Sequence, residues 1–315
     1  MDDAGSSAFA SLRTQIQLFA YVHLSQRRGW KAFHQDKWQK EIDIERLLTL
    51  AEANVGLWDV ISSPDDSTST ALGRVGRNLA EYFKRSVAAF IYADTVIPQL
   101  SWAPIVAFCD QLRPTDTVIT FNWDTLVERV LEALRRPFVL SRESSKRISV
   151  LKLHGSIDWI SGKPPNKKAA ALTTPVNRHI ARVNNYPQFN DAAGDWFVPY
   201  LVPPTAYKRY EPGILGLWKV ANSALFNASQ VIIVGYSMPV TDWTSVSLLR
   251  LPFRPEIRDG TGKRPCKKEL IVINPAQEVA ERFRAIVSPS CAWVAKRTEH
   301  VEWGSLRADA TSVLR

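Results

Sequence analysis

Polar side chains follow four apolar stretches of the sequence, at the points where each stretch ends. Asn122 and Asp124 follow the first stretch, His154 the second, Ser237 the third and Asn274 the fourth. Amide and carboxylate groups can orient a bound sugar or a water molecule. An imidazole, whose ordinary pKa lies near neutral pH, can act as a general base. These residue types are suited to chemistry on a nucleotide.

The four apolar stretches predict buried parallel strands, beginning at Val118, Ile148, Gln230 and Leu270. Amphipathic helices are predicted after the first and the fourth strand and before the third. The sequence therefore predicts an α/β fold with a parallel sheet. Because the carboxyl ends of parallel strands share one edge of a sheet, we expect the four polar groups to line one crevice.

Asp124 and His154 could also have purely structural roles, whereas Gly235 and Ser237 suit contact with a ligand. Asp124 can cap the helix that begins at Thr125, and His154 can be held in the core by a backbone carbonyl. Gly235 lets backbone approach a ligand, and Ser237 can bond a phosphate or ribose oxygen. The coincidence of such groups at four strand ends favours a nucleotide site over four separate structural roles.

Composition narrows the class of protein. The chain has 315 residues, 45% of them hydrophobic, and no run approaches the roughly 18 to 20 apolar residues that span a bilayer. No signal peptide is evident at the N-terminus. Cys109, Cys266 and Cys291 are far apart and fit neither a disulfide framework nor a zinc site. We expect a reduced, cytoplasmic setting without membrane contact.

The formal net charge of +9 permits attraction to nucleic acid or to phosphorylated molecules. The basic residues are scattered, however, and none of their clusters forms a long arm. This distribution favours a solvated basic surface over direct nucleic-acid binding.

Four segments together resemble a known family. They are TFNWDTLVE at residues 120–128, KLHGSIDW at 152–159, IVGYSMPVTD at 233–242 and VINP at 272–275. In this order they resemble the sirtuin-like domains, and more closely the bacterial sirtuin-like NAD-consuming domains of anti-phage defence systems. DIERLL at 43–48 resembles a helical segment of that family.

The resemblance implies a Rossmann-like fold that binds NAD+ as its substrate. Asn122 would position water or substrate near the nicotinamide ribose, with Asp124 beside it. His154 would be the general base. Cleavage of the nicotinamide–ribose bond creates an oxocarbenium-like centre, which needs orientation and a base with a pKa near the working pH. The residues implied to contact NAD+ are Thr120, Phe121, Gly155, Gly235, Ser237, Asp242 and Asn274.

The predicted elements divide the chain into regions of a single sirtuin-like domain spanning residues 1–315. A largely helical part covers residues 1–113. The Rossmann-like core covers residues 114–160 and 216–295, and a loop-rich insertion, or lid, covers residues 161–215.

Two features of the family pattern are absent from the sequence. No Gly-Ala-Gly-x-Ser turn follows a first apolar strand, although Asp3-Ala4-Gly5 resembles the residues downstream of that turn. We expect that the sequence begins a few residues late; the alternative is a degenerate member that has lost NAD+ turnover. Residues 155–235 also contain no Cys, which argues against a zinc-containing deacylase and predicts no zinc.

The leading hypothesis is an NAD+ glycohydrolase that depletes NAD+ as an anti-phage defence effector. A sensor or partner protein encoded nearby would trigger it, and a homo-oligomer is left open. The first alternative is a non-catalytic NAD+ or ADP-ribose-binding module. A NAD-dependent protein deacylase or ADP-ribosyltransferase and a basic nucleic-acid binder are the remaining alternatives.

Overall fold

The structure is a computed structural model. It describes residues 103–141, 146–161, 173–183, 198–203, 212–239, 242–254 and 268–303, together with Lys208, Tyr210 and helical residues between Arg77 and Tyr92. The helices predicted within residues 6–30 and 43–48 lie outside the described residues.

Five α-helices and ten strands can be bounded in the described part of the chain, with 3-10 turns at Leu251–Phe253 and Thr298–His300. In chain order they are α1 (Ala103–Asp110), β1 (Thr117–Thr120), α2 (Leu126–Ala133), β2 (Phe138–Val139), β3 (Ile148–Lys152), β4 (Gly155–Ser161), β5 (Thr173–Pro175), β6 (Ile180–Val183), β7 (Pro199–Leu201), α3 (Pro212–Asn227), β8 (Gln230–Val234), α4 (Trp243–Arg250), β9 (Glu269–Ile273), α5 (Gln277–Ile286) and β10 (Ala292–Lys296).

The first sheet contains three parallel strands in the order β1-β3-β2. Every residue of β3 is buried, whereas β1 is half-buried throughout. Helices α1 and α2 cover this sheet through a shared cluster that includes Cys109, Leu131 and Val150. The apolar runs that predicted β1 and β3 therefore mark an edge strand and a central strand.

The second sheet is also parallel, in the order β10-β9-β8. Its central strand β9 is fully buried, and β8 is half-buried with Val234 exposed at its end. The sequence predicts that the strands beginning at Val118, Ile148, Gln230 and Leu270 share one sheet. Among the described residues they instead divide into two pairs, one in each parallel sheet.

The third sheet is antiparallel, in the order β5-β6-β4-β7. Three of its strands come from residues 161–215, where the sequence predicts a loop-rich insertion. Gly155 opens β4 with a φ of +81°, and a Cβ there would overlap the carbonyl oxygen of Tyr200 in β7. Only glycine accommodates both that backbone conformation and that close strand approach.

One hydrophobic core joins the three sheets. Its buried members include Leu151 of β3, Trp159 of β4, Leu217 of α3, Leu270 of β9 and Phe283 of α5. Helix α3 packs on both β1 and β3. The architecture is a mixed α/β fold with parallel sheets and flanking helices, compatible with a Rossmann-like fold.

Several predicted elements are confirmed. The sequence predicts a helix over residues 102–112, which is α1, and a helix after Asn274, which is α5. It also predicts a helix over residues 217–227, but this helix, α3, begins earlier, at Pro212. Proline suits a first helical turn because the N–H group that it lacks would have no partner there.

Two further findings concern membrane contact and cysteine chemistry. Within the described ranges, no helix has both the length and the apolarity to cross a membrane. The sequence predicts no disulfide framework, but Cys291 is disulfide-bonded, which corrects that expectation. Cys109 is a buried free thiol whose pKa burial raises to about 11.

Candidate functional site

His154 lies at the centre of the candidate site, two residues beyond the end of β3. The backbone around it is fixed on two sides: Leu153 N–H donates to the Thr120 carbonyl at 3.0 Å, and the His154 carbonyl accepts from Val202 N–H at 2.9 Å. The first of these bonds extends the β1–β3 pairing, and the second ties the residue to the segment after β7. His154 is thereby held where the first and third sheets meet, with its side chain 11% exposed.

Aromatic rings surround the imidazole. The Phe121 ring centroid lies 5.2 Å from that of His154, and the Trp218 centroid lies 6.2 Å away. Phe121 also contacts Tyr236, with centroids 4.7 Å apart. Because Phe121 follows β1 and Tyr236 follows β8, the carboxyl ends of strands from both parallel sheets converge at His154.

Charged groups complete the cluster. Asp242 Oδ2 is 3.6 Å from His154 Nε2. Lys208 Nζ is 2.7 Å from Asp242 Oδ1 and 3.4 Å from His154 Nε2. The Lys208 and Asp242 side chains are only 7% and 5% exposed. We call these three residues and Tyr236 the His154 cluster.

Asp242 has two roles in the fold. As N-cap of α4 its Oδ1 accepts from Ser245 N–H at 3.3 Å, while its Oδ2 accepts from the Ser245 hydroxyl at 2.7 Å. The Tyr236 hydroxyl donates to the same Oδ2 at 3.3 Å. The carboxylate that starts the helix is thus also the one that faces the imidazole of His154.

The electrostatics of the cluster favour a neutral imidazole. Burial, and secondarily the Lys208 cation, lower the pKa of His154 to about 4, although Asp242 opposes the shift. For Asp242, burial raises the pKa, but hydrogen bonds from Lys208 and Ser245 outweigh burial and lower it. Burial and Asp242 raise the pKa of the Tyr236 phenol, which remains protonated.

The contact with Lys208 leads to the same protonation state on geometric grounds. An ammonium group can only donate hydrogen bonds. Its 3.4 Å approach to His154 Nε2 fits the tautomer in which this nitrogen carries a lone pair. The proton of the neutral ring is then on Nδ1, and Nε2 is the atom able to take a proton.

The predicted catalytic residues Asn122 and Asp124 are not among the described contacts of His154. Asn122 is exposed, and its backbone N–H donates to Thr120 Oγ1 at 3.1 Å. Asp124 Oδ1 accepts from Leu126 N–H at 2.9 Å. This contact gives Asp124 the helix-start role that was the structural alternative for it.

The predicted NAD+-contacting residues are dispersed. Phe121 and Asp242 lie beside His154. Gly235, with a φ of +67°, and Ser237 are both exposed beyond β8. The position of Asn274 directly after an apolar strand predicts an exposed side chain at the strand tip, but Asn274 is buried, and its Oδ1 accepts from Ala276 N–H at 3.0 Å. The residue directs the chain from β9 into α5.

Sequence reasoning did not include four residues around the site: Lys208, Tyr236, Trp218 and Ser245. Tyr236 lies between two residues that were selected. Ser245 follows Asp242 at the three-residue spacing of a helix cap, so both carried a readable signal. Trp218 Nε1–H donates to the Leu153 carbonyl at 3.1 Å. Lys208 follows a proline-rich stretch and carried no such signal.

A second lysine–carboxylate pair lies at the end of β3. Lys152 Nζ is 3.0 Å from Glu128 Oε1 of α2, and each side chain is 1% exposed. Lys152 Nζ also donates to the Asp124 carbonyl. Burial raises the pKa of Glu128, and the neighbouring Lys152 cation opposes that shift. This pair fastens α2 to the first sheet.

Comparison of the sequence with protein-family models and with curated proteins finds no match. The resemblance to sirtuin-like domains therefore rests on the four segments alone.

Proposed function

We propose that this chain hydrolyses NAD+ to nicotinamide and ADP-ribose. The observation that carries the proposal is a neutral, mostly buried imidazole at the point where the ends of β1, β3 and β8 converge. Phe121 and Trp218 offer flat apolar surfaces beside it, suited to packing against a planar nicotinamide ring.

The proposed reaction uses His154 Nε2 as general base. The bond between the ribose C1′ and the nicotinamide nitrogen breaks, and its electron pair leaves with nicotinamide. Water forms the new C1′–O bond and gives its proton to Nε2. Asp242, 3.6 Å away, stabilises the imidazolium that results. A base in this position contributes roughly 100- to 10,000-fold to the rate.

The proposal extends to the finer fold and to the biological setting. We assign the two parallel sheets to one Rossmann-like, sirtuin-like domain, as the motif resemblance implies. An NADase of that kind would act in the cytoplasm and deplete NAD+ during anti-phage defence once a partner protein triggers it. Phage survival on cells that carry the wild-type or the His154→Ala chain tests that setting.

A non-catalytic NAD+ or ADP-ribose-binding module is the second candidate. It is favoured by the positions of Asn122, which is exposed, and of Asp124, whose carboxylate is engaged at the start of α2. Of the three predicted catalytic residues, only His154 lies among the aromatic rings. Such a site can bind a nucleotide without hydrolysing it.

Nicotinamide release from NAD+, measured beside NAD+ and ADP-ribose binding by calorimetry, separates the two candidates. We expect release by the wild-type chain and a loss of at least about 100-fold in His154→Ala. His300→Ala is the matched control, because His300 is an exposed histidine outside the His154 cluster. Binding without release would support the binding module. Release that His154→Ala leaves intact, or no release and no binding, would overturn the hydrolase proposal.

A further inference from the structure

Lys208 belongs to none of the motifs that point to a nucleotide site, yet its ammonium group lies within the His154 cluster. The Lys208 side chain is 7% exposed, with Nζ 2.7 Å from Asp242 Oδ1. Nζ also lies 3.4 Å from His154 Nε2, closer than Asp242 Oδ2, which is 3.6 Å from the same nitrogen. The lysine thus contacts both the carboxylate and the imidazole.

An imidazole beside a buried carboxylate ordinarily takes up a proton, because an opposite charge at about 4 Å favours the charged form. Burial opposes this preference most strongly, and charge counting shows that Lys208 opposes it as well. With Lys208 present and His154 neutral, the cation and the Asp242 carboxylate cancel, and protonation of His154 would leave a net positive cluster. Without Lys208, the neutral imidazole would face a lone carboxylate, and protonation would instead neutralise the cluster.

The other described neighbours of the imidazole carry no charge. Phe121 and Trp218, which pack on the ring from the β1 end and from α3, are apolar at their contact surfaces. The remaining titratable groups that face the cluster are the phenols of Tyr236 and Tyr210. Burial raises the pKa of both phenols, so they stay neutral. Among the described residues, Lys208 and Asp242 therefore set the charge that His154 experiences.

We propose that Lys208 is a positioning residue that favours the unprotonated form of His154 and holds the ring through its contact with Nε2. Lys208 acts by pairing with Asp242 and by placing a positive charge beside Nε2, in the same direction as burial. The kinetic consequence of this inference rests on the proposed hydrolase function, but the effect of Lys208 on His154 does not. A base held in this way stays unprotonated at pH values well below the ordinary imidazole pKa, and its affinity for a proton is correspondingly lower.

The direct test is a proton and carbon NMR titration of the His154 ring in the full chain, with the resonance assigned by its absence in His154→Gln. We expect Lys208→Met, which keeps the aliphatic stem and removes the charge, to raise the proton affinity of His154 at least about tenfold above that given by its pKa of about 4, while burial still holds the pKa below 6.5. Lys208→Arg, which keeps the charge, should leave the pKa near its wild-type value.

A double variant separates charge from burial. When Asp242→Asn is added to Lys208→Met, the carboxylate that would hold the proton is removed while the helix cap at position 242 is retained. Burial alone then acts on His154, and we expect its pKa to fall below that of Lys208→Met. Lys208→Gln replaces Lys208→Met if the latter does not fold, because glutamine can still donate to Asp242 but carries no charge.

A pKa of His154 that stays near 4 in the uncharged Lys208 variants would overturn the inference and assign the shift to burial. The pH profile of nicotinamide release is the second readout: the acid limb of kcat/KM should move upward with the NMR pKa in Lys208→Met. If the NMR pKa moves but the wild-type chain releases no nicotinamide, the hydrolase proposal fails and the role of Lys208 stands. If the wild-type chain releases nicotinamide but the pKa does not move, the role of Lys208 fails and the hydrolase proposal stands.

Discussion

Lys152 and Lys208 each pair with a carboxylate in the interior of the molecule, and the two pairs have similar lengths of 3.0 Å and 2.7 Å. Their surroundings differ. Lys152 and Glu128 are both 1% exposed and lie between β3 and α2. Lys208 and Asp242 are 7% and 5% exposed and lie beside the imidazole of His154.

The difference shows that the neighbours of an ion pair decide what the pair does. Around Lys152 the described neighbours of the pair are the Asp124 carbonyl and the Asp158 carboxylate, so the pair fixes the position of α2 on the sheet. Around Lys208 the neighbour is a titratable ring, so the same kind of pair controls protonation. Both pairs lie in or near the end of β3, since Lys152 precedes His154 by two residues.

The largest expected effect is on the Lys152 pair. Lys152→Met leaves the Glu128 carboxylate without its cation in a fully buried position. We expect a loss of about 3–5 kcal/mol in the free energy of unfolding, which is typical of breaking one partner of a buried pair. Urea denaturation followed by circular dichroism measures it.

The control is the double variant Lys152→Met with Glu128→Leu, in which neither charge of the pair remains. We expect its free energy of unfolding to lie within about 1 kcal/mol of the wild type, since hydrophobic replacement of a buried pair is often close to neutral. If the single variant is as stable as the double variant, the pair does not hold α2 in the way that its burial indicates.

The second prediction concerns acid stability, and it contrasts the two clusters. The folded pKa of His154, about 4, lies below its ordinary value of 6.5. Because the unfolded chain takes up this proton first, the contribution of His154 is fully present above pH 6.5 and is lost as the pH falls to about 4. The loss amounts to about 3 kcal/mol. Glu128 acts in the opposite direction, because its pKa is raised in the fold.

The difference between the wild type and His154→Gln isolates the histidine from Glu128 and from Asp242. We expect the free energy of unfolding of the wild type to fall more steeply between pH 6.5 and pH 4 than that of His154→Gln. Parallel pH dependences for the two proteins would show that His154 titrates normally in the fold.

Periodicity of the sequence predicts the parallel strands and their helices because each apolar run is local and continuous. It does not predict how the strands divide between sheets, because that division depends on contacts between distant residues. Strands β5 and β7 are three residues long and lie among prolines, so no alternation could identify them. The burial of Asn274 was missed for a related reason: its side chain turns back to Ala276 N–H instead of outward.

The candidate site was predictable to a similar extent. The Leu-His-Gly sequence at the end of a strand identified His154, and the family resemblance of residues 233–242 included Asp242. Lys208 could not be found, because a lysine in a loop has no periodic pattern and its approach to Asp242 depends on tertiary packing. The residues that do chemistry at strand ends carry a local signal, whereas the residue that tunes them comes from a distant segment.

The smallest expected effect concerns the support of Asp242. Ser245→Ala removes the hydroxyl that donates to Asp242 Oδ2 at 2.7 Å, a hydrogen bond to a charged group worth about 1.5–3 kcal/mol. We expect a loss at the lower end of that range, because Lys208, Tyr236 and the Ser245 N–H still bond the carboxylate. Urea denaturation measures the loss. Ser247→Ala, on the exposed side of the same helix, should stay within about 0.5 kcal/mol of the wild type.

The same variant separates charge from geometry in the His154 cluster. Ser245→Ala loosens the carboxylate without changing the number of charges, so the pKa of His154 should remain near its wild-type value of about 4. A rise of that pKa in Ser245→Ala as large as the one expected for Lys208→Met would mean that the position of Asp242 controls the imidazole. In that case the two lysine pairs would differ only in how tightly each carboxylate is held in position.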